Sequence, residues 1–274
     1  MPFTLIKGQF LPGLGFPDGD SVRFRARDKT LWAKLEGRRV GFGTGVKTKD
    51  TVQLRLEGID AIEKAATKPL SVDARANLFR LLGHDAVKAP EPAGYILARM
   101  TDDSSGRPIC FAFRGEHPKA DGASITLTAS WLRKSANYGQ IKAGYAYPLF
   151  YNTLFAALRT ELQKGHALAL AANRGYWPTD ATRKGVTVAA RADLATIPPI
   201  WPKLWRRLDA WLETHAGLDG FHAYLKKSNE RLDLLDIVEE RGLQDIVEVK
   251  GNKVRLLTDP ANVRVVGAAG KRKR

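Results

Sequence analysis

The run Val52-Gln53-Leu54-Arg55-Leu56-Glu57 alternates apolar and polar residues, which is the period of a half-buried β-strand. Val52, Leu54 and Leu56 share one face, and Gln53, Arg55 and Glu57 share the other. A strand with one apolar face commits this part of the chain to a sheet that buries it. Gly58 then frees the backbone, and Asp60 and Glu63 follow on the turn. A cation and two carboxylates gathered at a strand end are costly unless they share a bound ion or an anionic ligand. The bland alternative is a solvated strand end with no chemistry.

Two further strands open on charged turns. Asp18-Gly19-Asp20-Ser21-Val22 leads into an alternating strand through Phe24, and Ser105-Gly106-Arg107 leads into another through Ile109, Phe111 and Phe113. Residues 3 to 10, 21 to 27 and 94 to 100 complete a strand-rich portion. Helices are expected at 69 to 83 (Val72, Arg75, Phe79 and Leu82 inward), at 128 to 143 (Trp131, Leu132 and Ile141 inward) and at 152 to 173. Residues 28 to 50 read as a long hairpin or loop. Their Gly41 to Gly45 run lacks the Lys-Ser/Thr and the helix of a P-loop.

Forty-four Lys and Arg against 29 Asp and Glu give a formal charge of +15 and a pI near 10.0. Such an excess favours polyanion partners, nucleic acid ahead of an anionic membrane. The single cysteine, Cys110, excludes an intrachain disulfide framework and reads as a buried, inert thiol. His84, His117, His166, His215 and His222 are scattered, which argues against zinc and against histidine-based nucleases. No segment approaches the ~18 apolar residues of a membrane span. The start, broken by Lys7, Gly8, Pro12 and Gly13, lacks a signal's apolar region, so a cytoplasmic protein is expected.

Taken in order, Asp-Gly-Asp-Ser at 18 to 21, Arg-x4-Asp-x2-Glu at 55 to 63 and Gly-Arg at 106 and 107 resemble the thermonuclease, or staphylococcal-nuclease-like, family. The resemblance covers roughly residues 6 to 178 and includes a closing Gly175-Tyr176-Trp177. It implies an α+β fold, a five-stranded OB-fold-type β-barrel with packed helices. It also implies hydrolysis of phosphodiesters in DNA and RNA, with Ca2+ or another divalent cation and little sequence preference, leaving 3′-phosphates and 5′-hydroxyls.

Position by position, Asp20 and Asp60 match the family's metal carboxylates, and Ala61 the position whose backbone carbonyl is a ligand. Glu63 matches the general base, and Arg55 and Arg107 the two arginines that bind the scissile phosphate. The division is chemically coherent: calcium prefers hard oxygen ligands, and an arginine fork meets two phosphate oxygens together. Two departures stand out. Ala61-Ile62 replaces the family's Thr-Pro or Ala-Pro, which loosens the turn before Glu63, and Ser105 stands where tyrosine is common, so a base-stacking contact is either absent or supplied by Tyr147 or Tyr151, which read equally as core or surface packing. Between the first aspartate and Arg55 lies an insertion of about two strands' length, on the usual ~5–6 residues per strand. Its Arg38, Arg39, Lys47 and Lys49 read as substrate contacts or as a solvated face.

The expected organisation is a nuclease domain over 1 to 178, a linker over 179 to 200, and a C-terminal helical and hairpin extension over 201 to 274 with a basic tail. In the extension, residues 202 to 215 read as an amphipathic helix, 220 to 241 as further helical turns, and 246 to 256 as a hairpin. Two other readings compete. One is a catalytically inactive nucleic-acid-binding or scaffold module; the other is partner or self-association through the Trp-bearing helix.

Overall fold

A computed structural model describes residues 2–15, 17–66, 68–84 and 91–266. Five strands build its first layer: β1 (Phe3–Leu11), β2 (Ser21–Ala26), β3 (Val52–Leu56), β4 (Ala93–Thr101) and β5 (Pro108–Arg114). β1 pairs antiparallel with β2 (Phe10 opposite Phe24), and β2 pairs antiparallel with β3 (Ser21 opposite Arg55). β3 runs parallel to β5 (Arg55 opposite Ile109). β5 is antiparallel to β4, and β4 returns to β1 (Leu5 opposite Leu97). The cycle closes, so the five strands form an OB-like barrel without a free edge. The alternation of β3 is realised: Val52, Leu54 and Leu56 are at most 1% exposed, in a core with Leu5, Phe10, Phe24, Ile96 and Phe111.

Helix α1 (Lys68–Leu82) falls close to its expected span, but its buried face is Ala74, Asn77, Leu78 and Leu82. Val72 is 51% exposed, so the inward stripe lies beside the expected one, on residues spaced four apart. The helix expected at 128 to 143 is broken in two. A short turn, Ala129–Leu132, ends before Ser135, and the Ser135 hydroxyl accepts from the Tyr138 N–H at 3.1 Å to start α2 (Ala136–Lys142). α3 spans Ala156–Ala171. Residues 28 to 50 form no hairpin. Asp28 caps a 3-10 turn, Lys29–Lys34, which plugs Leu31 and Trp32 into the barrel core, and only single bridges follow, at Glu36 and Phe42.

The span expected as a linker is packed structure. Ala181, Val186, Val188, Leu194, Ile197 and Ile200 are buried, and β6 (Val186–Thr187) pairs with β10 (Lys253–Leu256) of a later hairpin. After α4 (Pro202–Leu212) and α5 (Phe221–Lys227), the expected helical stretch ends at Ser228 and Asn229, where the backbone turns left-handed at φ 50°. It continues as β7 (Arg231–Leu234) and β8 (Glu239–Gly242), paired antiparallel. β9 (Val247–Lys250) and β10 form the expected hairpin. β11 (Val263–Val265) pairs with β7 and, in parallel, with a short strand at Phe150–Tyr151.

A second core joins the two parts of the chain. Ile62, Tyr147, Leu149 and Tyr176 pack with Trp201, Leu204, Leu208, Phe221, Leu232 and Val254. Trp201, Trp205 and Trp211 are at most 7% exposed, so the apolar face of α4 is spent inside the molecule rather than offered to a partner. The basic run 271 to 274 lies outside the described residues. Among the described residues no helix is long and apolar enough to cross a membrane.

Candidate active site

The barrel brings Asp20, Arg55 and Asp60 to one end. The Leu56 N–H donates to the Asp20 carbonyl at 2.9 Å, continuing the β2–β3 ladder, so the Asp18–Asp20 turn lies against the end of β3. Gly19 makes that approach fit: a Cβ there would stand 2.6 Å from the Ala61 Cβ and 2.8 Å from that of Ala74. Gln140 of α2 fixes the turn from behind, donating to the Gly19 carbonyl at 2.6 Å and to the Ala74 carbonyl at 2.9 Å. Gly58, at φ +78°, makes the reversal after β3, and Ile59–Asp60 then pairs with Tyr147–Pro148. The Ala61 N–H donates to Asp20 Oδ2 at 3.0 Å and closes the group.

The charges in this group act on one another. Burial, then the carboxylates of Asp18 and Asp60, push the Asp20 carboxyl well above the usual range. Asp18 in turn accepts from the Ser21 hydroxyl at 2.7 Å and from the Asp20 N–H at 3.2 Å. Burial works against the charge on Arg55, but Asp20 and Asp60 outweigh it and hold the guanidinium more firmly protonated than usual. Glu63 is raised by burial, opposed by a hydrogen bond and the charge of Arg206. Tyr151, half-buried, lies within electrostatic reach of Arg55, Asp60 and Arg206; burial raises its hydroxyl.

Arg206, on α4, was not among the residues anticipated from sequence. Its Nη1 donates to Asp60 Oδ1 at 3.0 Å and to Glu63 Oε1 at 2.7 Å, and its Nη2 donates to Asp60 Oδ2 at 2.8 Å. The contact to Asp60 is a two-pronged arginine–carboxylate pair on a side chain only 1% exposed. Burial disfavours the charged guanidinium, yet the two carboxylates raise it above its ordinary value. A signal was present in the sequence. Lys203, Arg206 and Arg207 recur at i, i+3 and i+4, which puts three cations on one face of an amphipathic helix. Lys203 and Arg207 both pair with Glu230, which leaves Arg206 directed at the barrel.

The remaining anticipated residues divide. Arg107 precedes β5 on the strand beside Arg55, but its Nε donates to Asp102 Oδ2 at 2.7 Å. Against burial, the Ser105 N–H and Arg107 pull the Asp102 carboxyl down to about 2. Arg107 is therefore held by its own turn rather than by the carboxylate group. Tyr147 does not fit the base-stacking role expected of it: it is fully buried, packs against Tyr176 and Trp177, and its hydroxyl donates to Asp180 at 2.7 Å. A ring without an exposed face has none to offer a base. Tyr151 is the better placed of the two.

The arrangement does not fit the expected calcium ion. Both oxygens of Asp60 accept from Arg206, one oxygen of Asp20 accepts from Ala61, and Ala61 enters the group through its N–H. Among the described residues no three His, Cys, Asp or Glu side chains are gathered to hold a metal. Beside Glu63 runs a small, shallow depression lined by Ile62, Ile197, Pro199, Ile200 and Trp205, so the C-terminal part of the chain forms one wall of the site. No protein-family model and no curated protein matches the chain.

Proposed function

We propose that this cluster is the phosphodiester-hydrolysing site of a nuclease acting on DNA or RNA. The supporting observation is that Asp20, Arg55 and Asp60, dispersed over the sequence, act electrostatically on one another at one end of the barrel, and that Glu63 joins them through Asp60, with which it shares Arg206. Arg55, kept charged by Asp20 and Asp60, carries the fork that would receive two oxygens of a phosphodiester. Glu63 has Oε1 on Arg206, and Oε2 is the atom to take a proton from the attacking water. In the step proposed, the water oxygen bonds to phosphorus, its proton passes to Glu63, and the bond to the leaving sugar oxygen breaks as that oxygen is protonated by solvent. General-base help of this kind contributes ~10²–10⁴ in rate. The metal-holding roles expected of Asp20, Asp60 and Ala61 form no part of this proposal. The excess of Lys and Arg supports a nucleic-acid substrate.

The experiment is a comparison of cleavage with binding on labelled single-stranded DNA and RNA. Glu63→Gln is expected to bind as the wild type does and to lose ~10²-fold or more in cleavage. Equal cleavage by the variant would remove Glu63 from the chemistry. A second reading, binding without cleavage, is favoured by one observation: Arg206 already satisfies Asp60 and Glu63. Salt-sensitive binding with no product from the wild type would select it.

A further inference from the structure

In the family the chain resembles, the acidic group at this end of the barrel would meet a divalent ion; here it meets a side chain of the same chain. Arg206 covers both oxygens of Asp60 and one of Glu63 with three bonds of 2.7 to 3.0 Å. A calcium ion needs those same lone pairs at ~2.3–2.6 Å, and it would also stand beside a guanidinium charge, so the two cations exclude each other. Arg206 is not on a loose tail. Its helix is anchored on both sides of it: Trp201, fully buried, donates to the Pro148 carbonyl at 3.2 Å, and Leu204 and Leu208 are at most 1% exposed. The neighbouring cations, Lys203 and Arg207, are taken up by Glu230 and do not compete for the barrel carboxylates. Pro148 itself belongs to the segment that pairs with Ile59–Asp60, so one short stretch positions both the carboxylate and the helix that delivers its partner.

We propose that Arg206 is the resident cation of this site, and that Asp60 and Glu63 accept a divalent ion only when its guanidinium is removed. The inference deepens the nuclease reading, since it names the cation that the carboxylates of the proposed site already hold, but it is tested without nucleic acid. Calcium alone is titrated calorimetrically into the full-length wild type, Arg206→Gln and Asp60→Asn/Arg206→Gln, with circular dichroism to establish folding. The expected result is little or no calcium binding by the wild type, affinity higher by about tenfold or more in Arg206→Gln, and loss of that gain in the double variant. Wild-type binding as tight as that of Arg206→Gln overturns the proposal. So does a folded Arg206→Gln that binds no calcium, because the carboxylates would then not form a cation site.

Should Arg206→Gln fail to fold, Arg206→Lys replaces it. A lysine is a single point that cannot span both carboxylates as the fork does. Calcium affinity above the wild type's supports the proposal, and affinity equal to it overturns it. Failure of the nuclease reading would look different: calcium-loaded Arg206→Gln that leaves an oligonucleotide intact.

Discussion

Glu57 is 8% exposed, and burial pushes its carboxyl up to about 7, against the lowering influence of Arg55 and Arg99. A carboxyl whose folded value lies above its unfolded one binds its proton more tightly in the folded state. Its contribution to stability is therefore fully present below pH ~4.5, is lost as pH rises towards about 7, and does not change above it, a difference on the order of 3 kcal/mol. Glu57→Gln is expected to flatten this dependence and to be the more stable protein at pH 8, read by urea unfolding at pH 5 and pH 8. An unchanged slope would mean that Glu57 titrates normally. Asp60 invites a different test, because its buried carboxylate has Arg206 as its two-pronged partner. Arg206→Gln is expected to cost about 1–3 kcal/mol, less than a fully buried pair because Arg206 is about a third exposed. Adding Asp60→Asn is expected to recover most of that loss, and purely additive losses would deny the coupling. Asp20, Arg55, Asp60 and Glu63 were legible in sequence as a group. Arg206 was not, since its pairing depends on how α4 lies against the barrel.

Strands were the most legible elements, because alternation such as that of Val52 to Leu56 records burial directly. Helices were legible in extent but less so in facing and continuity. In α1 the long side chains of Val72 and Phe79 suggested the inward face, while the stripe that packs is Ala74, Leu78 and Leu82, where a small residue admits the close approach of the Gly19 turn. Ser135 breaks the 128 to 143 helix because it caps the following one, a local hydrogen bond that hydrophobic periodicity does not register. The second half, α2, then carries much of the site's support. Asn137 accepts from the Ala112 N–H at 3.0 Å and donates to the carbonyls of Glu57 and Cys110 at 2.9 and 3.0 Å, joining the end of β3 to the middle of β5. Asn137→Ala is expected to cost about 3 kcal/mol or more, on ~1–3 kcal/mol for each buried polar group left without a partner. A loss below 1 kcal/mol in chemical denaturation would show that water or a local shift replaces those bonds.

At the scale of the whole chain, the span expected as a linker, 179 to 200, is packed structure. Thr179 to Pro199 is polar and alanine-rich, the composition of a linker, yet its few apolar residues fill a core shared with Ile62, Tyr147, Leu149 and Tyr176 of the earlier part of the chain. Composition counts residues; it does not say which are buried. Truncation after residue 178 would uncover Tyr147, Leu149 and Tyr176, all at most 2% exposed in the intact chain, and remove Arg206 from Asp60. The truncated protein is expected to aggregate or to lose cooperative unfolding, as followed by solution mass and near-ultraviolet circular dichroism. A monomeric, cooperatively folded fragment would restore the two-domain view.

The role of the cluster is tested most directly by incubating end-labelled single-stranded DNA with wild type and Glu63→Gln, with and without calcium, and identifying the new ends. Cleavage by the wild type, leaving 3′-phosphates and lost in Glu63→Gln, is the expected result. Oligonucleotide left intact by the wild type, or cut equally by the wild type and Glu63→Gln, would contradict a nuclease site built on Arg55 and Glu63.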